Sequence, residues 1–199
     1  EHHQSFDEAM AHKTTVVTRL NEKNYHMLAD RETVSVIEGE ASFVDDHTVK
    51  VVAGDDELVV SAPQIFINTG AESIIPDIPG VDKPFVYTST ELLDKMTQPK
   101  HLAIIGGGYI GLEFASTYTK LGTKVTVFER GDALLAREDP AIARATTEAL
   151  QAQGIEIVFS VDVTAIEGES TATIRTANHD DYTGYDAVLM ATGRRPATM

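Results

Sequence analysis

Cysteine and tryptophan are both missing from these 199 residues, and basic side chains are scarce: 16 Lys and Arg stand against 31 Asp and Glu, a formal charge of −15. Without cysteine the chain holds no disulfide, no thiol nucleophile and no dithiol redox centre. Such usage fits a reducing compartment, so the expected location is the cytoplasm. An acidic surface repels polyanions, and nucleic acid is not an expected partner. No run approaches the roughly 18 consecutive apolar residues of a membrane helix. No basic stretch followed by an apolar one opens the chain as an export signal would, so no membrane partner is expected either. The 7 histidines show no metal-ligand spacing beyond the adjacent His2–His3 pair, in an opening "EHH" that reads equally as a tag remnant or as native sequence. No G-x-S-x-G turn offers a serine nucleophile, and the carboxylates are scattered. No metal and no catalytic residue are assigned.

What is present is ordinary for a globular protein: 42% hydrophobic and 24% charged residues. Residues 5–29 read as one long helix, with Phe6, Met10, Val17, Leu20 and Met27 near one face. Strand-like runs follow at "TVSVIEG", "EASFVDD" and "TVKVVAG", then "LVVSAPQIFINTG", which together predict an antiparallel meander. Its "QIFIN" segment is apolar enough for a strand buried on both faces. The proline-rich "IIPDIPGVDKP" predicts an extended, irregular connection, and Ser89 or Thr90 is expected to cap a short helix over "ELLDKM".

From Lys100 the pattern changes. "HLAIIG" reads as a strand, and "YIGLEFASTYTKL" as a helix with Ile110, Phe114, Thr117 and Leu121 on one face and Gly122 ending it. "KVTVFE" is a second strand. A second helix carries Asp139 as N-cap, Pro140 at its first position and Gly154 beyond its end. "IEIVFS", "VTAIEG", "TATIRT" and "DAVLMATG" complete the strands. Alternating strands and helices with short links imply an α/β fold with a parallel sheet. The expected organisation is a meander-bearing domain over 1–84, a connection over 85–99 and a Rossmann-like domain over 100–199.

The stretch "GGGYIG" at 106–111 lies between the first of those strands and its helix. Gly106 is placed for a tight turn, Gly108 for close approach of a pyrophosphate to the backbone, and Gly111 for close helix–strand packing. The helix start presents unpaired N–H groups and a positive dipole end. Glu129 ends the second strand, 129 − 111 = 18 positions after the last glycine. A carboxylate there accepts hydrogen bonds from an adenosine ribose and repels a 2′-phosphate. Together these features predict a dinucleotide site, with NAD(H) favoured over NADP(H). Arg130 weighs the other way, since a guanidinium suits a 2′-phosphate.

"GGGYIGLEFA", "VTVFERGDALLARED" and "VLMATGRRPAT" resemble the nucleotide domain of the class I pyridine nucleotide–disulfide oxidoreductases, the flavoproteins that include glutathione, mercuric and dihydrolipoamide-type reductases. "VIEGEASFVDDHTV" and "IFINTGAESIIPDIPG" resemble the second part of that family's FAD domain. "NYHMLAD" and "FINTGA" are most similar to a bacterial subgroup linked to resistance to reactive chlorine species. The resemblance implies hydride transfer from NAD(P)H to FAD and on to a cysteine pair, in a homodimeric parent. It implies that Tyr109 covers the flavin until nicotinamide displaces it, with Ile110 beside it in the cofactor cradle and Glu113 near both rings. It also places Thr69 and Gly70 against FAD, Glu40 and Ala41 by its adenine, and Ala191, Thr192 and Gly193 on the nicotinamide side. Read without the resemblance, Tyr109 is an aromatic packed at a helix start, Glu113 a solvated helix residue, and the "TG" pairs are strand-end turns.

The family's first FAD strand with its glycine loop, its Cys-x4-Cys segment and its interface domain have no counterpart among these residues. The expectation is therefore a central fragment, inactive alone, of a larger flavoenzyme. A free-standing, non-catalytic NAD-binding module that senses redox state is the alternative; a flavin-free dehydrogenase ranks below both.

Overall fold

The computed structural model describes residues 5–95 and 97–198; the His2–His3 pair and Met96 of the expected short helix lie outside the described residues. The chain forms two compact units, one spanning Ala9–Thr69 and the other containing residues 5–8 and 70–198.

The long helix α1 (Phe6–Ala29) forms as its periodicity predicts. A reciprocal cap starts it: Glu8 N–H donates to Ser5 Oγ at 3.2 Å, and Ser5 N–H donates to Glu8 Oε2 at 2.9 Å. Val17, Leu20 and Met27 are exposed on it. The spacing marks a face able to pack, which these residues leave uncovered. Strands β1 (Glu40–Asp45), β2 (Thr48–Ala53) and β3 (Asp56–Ser61) form the antiparallel meander in sequence order. Two expected strands are absent. "TVSVIEG" and "QIFIN" are in no ladder, and Phe66 is 88% exposed. Apolar composition gives a segment the capacity to pair, but a ladder needs a neighbour, and no described strand runs beside either one.

In the other unit, β4 (Ala71–Ser73) leads into the proline-rich connection, which is irregular as expected. Then come β5 (Val86–Tyr87), α2 (Ser89–Asp94), β6 (His101–Ile105), α3 (Tyr109–Lys120), β7 (Lys124–Phe128), α4 (Pro140–Ala152) and β8 (Glu156–Val158). The chain continues through β9 (Val163–Glu167), β10 (Ala172–Thr176), β11 (Asp181–Tyr185), β12 (Ala187–Met190) and β13 (Arg194–Pro196). Strands β5-β12-β6-β7-β8 form a parallel sheet. Leu102–Ile105, Val125–Phe128 and Ala187–Met190 are buried throughout, the continuous apolar pattern of strands covered on both faces. Between β8 and β12 the chain makes the antiparallel sheet β9-β10-β11, whose Ile166, Ile174 and Tyr185 pack with Ile105, Phe128 and Val188 of the parallel sheet.

Three details differ from the sequence reading. The N-cap of α2 is Thr88, not Ser89 or Thr90, because Thr88 and Glu91 complete a capping box three positions apart. The buried face of α3 is Gly111, Leu112, Ala115 and Tyr118 rather than Ile110, Phe114, Thr117 and Leu121. The small residues let the helix approach the sheet closely, while Phe114 lies beside Tyr118 as a stacked ring at 6.0 Å. Finally, β5, β11 and the antiparallel pair β4–β13 carry too few apolar residues to stand out in the sequence.

Candidate nucleotide-binding site

The carboxyl ends of β6, β7 and β12 open onto a cavity of about 510 Å³, the crevice where open α/β sheets take ligands. Each strand end feeds one wall. After β6 comes the glycine loop; after β7, Glu129 and Arg130; after β12, Ala191, Thr192 and Gly193.

The glycines are there for different reasons. Gly106 turns at φ +112°, and a Cβ on it would lie 2.4 Å from the Ala191 carbonyl oxygen. A Cβ on Gly111 would lie 2.2 Å from the Gly106 carbonyl oxygen. Gly107, to which the sequence reading gave no role, is buried; its Cβ would meet Leu134 at 2.6 Å and Glu129 Oε2 at 2.8 Å. Gly108 differs from all three. It is the N-cap of α3 at φ −85°, a conformation open to any residue, and nothing lies within 4 Å of where its Cβ would be. The fold does not require a glycine there.

Glu129 is half-buried, and its carboxylate ties two turns together: Oε2 accepts from Gly107 N–H and Oε1 from Gly131 N–H, each at 2.7 Å. The backbone on either side is fixed as well, with Glu129 N–H donating to the Val158 carbonyl and Val161 N–H to the Glu129 carbonyl. Arg130 is exposed, with Nε 3.7 Å from Asp162 Oδ1. On the third wall, Thr192 Oγ donates to the Ile74 carbonyl at 2.6 Å, and Ile74 N–H donates to the Gly193 carbonyl at 3.0 Å. These bonds bring the stretch after β4 to the cavity, where Ile74, Pro76 and Ile78 form an apolar side.

Tyr109 and Ile110, with Gly108 and Ala191, line a smaller neighbouring hollow. The Tyr109 hydroxyl donates to Glu138 Oε1 at 2.5 Å, and that bond raises the phenol above its ordinary pKa. Glu113 is exposed on α3, outside both hollows. Gly70, at φ +77°, accepts from Ala197 N–H at 3.0 Å; Thr69 precedes it outside any regular element. Glu40 and Ala41 start β1, exposed, in the unit spanning Ala9–Thr69. One cavity thus gathers Gly106, Gly108, Glu129, Arg130, Ala191, Thr192 and Gly193, with Gly111 supporting the loop from behind. The sequence reading missed Gly107, Asp162 and the Ile74–Ile78 side. Only Gly107 carried a signal, as the middle of three glycines.

Residues 1–199 match the sequence pattern of the family described as pyridine nucleotide-disulphide oxidoreductase. The chain is 40% identical over 199 residues to the probable pyridine nucleotide-disulfide oxidoreductase RclA of Escherichia coli, covering all of this chain and 45% of that protein. It is 34% identical over 189 residues to a mercuric reductase of Staphylococcus aureus, covering 94% of this chain and 34% of the relative. The solved structure of the HOCl-induced flavoprotein disulfide reductase RclA from Escherichia coli superposes with a TM-score of 0.90 at 41% identity, over 99% of this chain and 45% of that one. The chain therefore spans less than half the length of these relatives. From the glycine loop through the length of the match, the chain belongs to the pyridine nucleotide–disulfide oxidoreductase family.

Proposed function

We propose that this chain is the nicotinamide-dinucleotide-binding part of an FAD-dependent reductase, with NADH preferred over NADPH. A reduced nicotinamide supplies hydride to a flavin, the chemistry this family shares. The observation that carries the reading is Gly108. Space and backbone freedom explain its neighbouring glycines from within the chain, whereas Gly108 faces open solvent at a helix start, where a side chain would obstruct only a ligand. Its N–H and those of the first turn of α3 receive the pyrophosphate. Each Glu129 oxygen accepts one backbone N–H and retains a lone pair for a ribose hydroxyl.

By family resemblance, Tyr109 shields the flavin with Ile110 beside it in the cofactor cradle, Glu113 lies near both flavin and nicotinamide, and Thr69, Gly70, Glu40 and Ala41 contact FAD. On this reading residues 1–84 are part of an FAD domain, 85–99 a connection and 100–199 the NAD domain, in a cytoplasmic homodimer. The comparisons lend the free-standing redox-sensing module no support.

Gly108→Asp tests the proposal, because its two effects have opposite signs. Aspartate is a better N-cap than glycine by a few tenths of a kcal/mol, so the unfolding midpoint should hold or rise. Its carboxylate would stand where the pyrophosphate docks, so NADH affinity measured by calorimetry should fall about tenfold or more. NADH binding as tight as wild type would overturn the reading.

A further inference from the structure

We infer that Asp162 is a specificity-determining residue that disarms Arg130 and so keeps the proposed dinucleotide site selective against a 2′-phosphate. The inference rests on the dinucleotide reading above. Among the described residues lining the cavity, only Glu129, Arg130 and Asp162 carry charge. Glu129 is fixed in place by the Gly107 and Gly131 N–H groups and contributes an unchanging negative charge, so the availability of the cation beside it tunes how far a phosphate on the ribose is tolerated.

Arg130 is the group a 2′-phosphate would use, since a guanidinium binds phosphate oxygens through paired donors. Asp162 Oδ1 lies 3.7 Å from its Nε and holds that edge of the fork. With Asp162 present, the guanidinium has one carboxylate against it and the charged side chains of the cavity wall sum to a net negative charge. Without it, the wall is neutral and the whole fork is free.

An exposed ion pair at this distance is worth little to stability, but the position of Asp162 is set by backbone rather than by the pair. Ser160 N–H donates to the Gly131 carbonyl at 2.9 Å, Val161 N–H to the Glu129 carbonyl at 3.1 Å, and Ala177 N–H to the Asp162 carbonyl at 2.9 Å. The first two bonds hold the 160–162 segment against the 129–131 turn, and the third ties Asp162 to the residue after β10. The carboxylate is therefore presented to Arg130 by the fold, on the cavity side.

The test measures NADH and NADPH dissociation constants by calorimetry for the wild-type chain, Asp162→Asn, Asp162→Glu and the double variant Arg130→Ala/Asp162→Asn. The expected result is a fall of about fivefold or more in the NADPH-to-NADH ratio of constants for Asp162→Asn. Asp162→Glu should keep the wild-type ratio, and the double variant should regain it. A ratio that does not move in Asp162→Asn, while NADH binds, overturns the assignment alone. A fall that persists without Arg130 also overturns it, because the effect would not run through the guanidinium. Binding of neither nucleotide to the wild-type chain overturns the dinucleotide reading and the assignment together.

Discussion

Gly111 and Gly108 are three positions apart and carry the same side chain, yet substitution should affect them in opposite ways. In an exposed helix, alanine is favoured over glycine by about 1 kcal/mol. At Gly111 the added methyl would sit 2.2 Å from a backbone carbonyl oxygen, which cannot rotate away as a side chain can. Gly111→Ala should therefore lose the propensity gain and cost about 1–3 kcal/mol net, as overpacking does. Urea denaturation would show the lowered midpoint; an unchanged or raised one would mean that α3 can shift away from the loop. The sequence motif marked both glycines but could not rank them. The ranking depends on the Gly106 carbonyl behind one and the empty space before the other. Gly107 stayed unread for a related reason, since Leu134 and Glu129 reach it from 27 and 22 positions further along.

At the scale of elements, the N-terminal ends of β6, β7 and β8 hold a titratable cluster remote from the cavity. His101 Nε2 lies 3.2 Å from Thr126 Oγ, and Thr126 Oγ lies 3.1 Å from Glu156 Oε2. The His101 ring is tilted over Tyr185 at 4.2 Å. Burial first, and then Lys124, pull the imidazole below its ordinary value of 6.5, while Glu156, the Gly184 backbone and Asp186 oppose them more weakly. The folded state thus favours the neutral ring. Its contribution to stability is whole above pH 6.5 and is lost as pH falls through the lowered folded-state value. Unfolding midpoints of wild type should decline more steeply than those of His101→Gln as pH falls below 6.5; parallel declines would exclude His101 as the cause.

Elements with strong periodicity or paired boundary signals were legible before the structure: α1, α4, and the buried strands β6, β7 and β12. What escaped was short or non-local. β5 has two residues and exists only because β12 lies beside it. "QIFIN" failed in the other direction, since its composition promised a strand for which the described residues provide no neighbour.

At the scale of the whole molecule, the two units differ in how their secondary structure is protected. The parallel sheet has three strands with buried cores, whereas no residue of β1, β2 or β3 is buried. A meander held chiefly by exposed backbone hydrogen bonds opens at low free energy. Hydrogen exchange should find β1–β3 amides exchanging roughly a hundredfold or more faster than those of β6, β7 and β12. Equal protection would mean that the meander is stabilised by something other than its own burial.

The ladder between β4 and β13 has a consequence for how the protein is made. Ser73 pairs with Arg194, so the chain must grow 194 − 73 = 121 residues before that strand meets its partner. β5 waits almost as long, because its parallel neighbour begins at Ala187. A ribosome adding about 5–20 residues per second would take some 6 to 24 seconds to cover that distance. Through that interval the third wall of the cavity does not exist, and Ile74, Pro76 and Ile78 have nothing to close against. The nucleotide site therefore closes only once β12 and β13 have been made, and a nascent chain that stalls short of Thr192 would expose the glycine loop over an open floor.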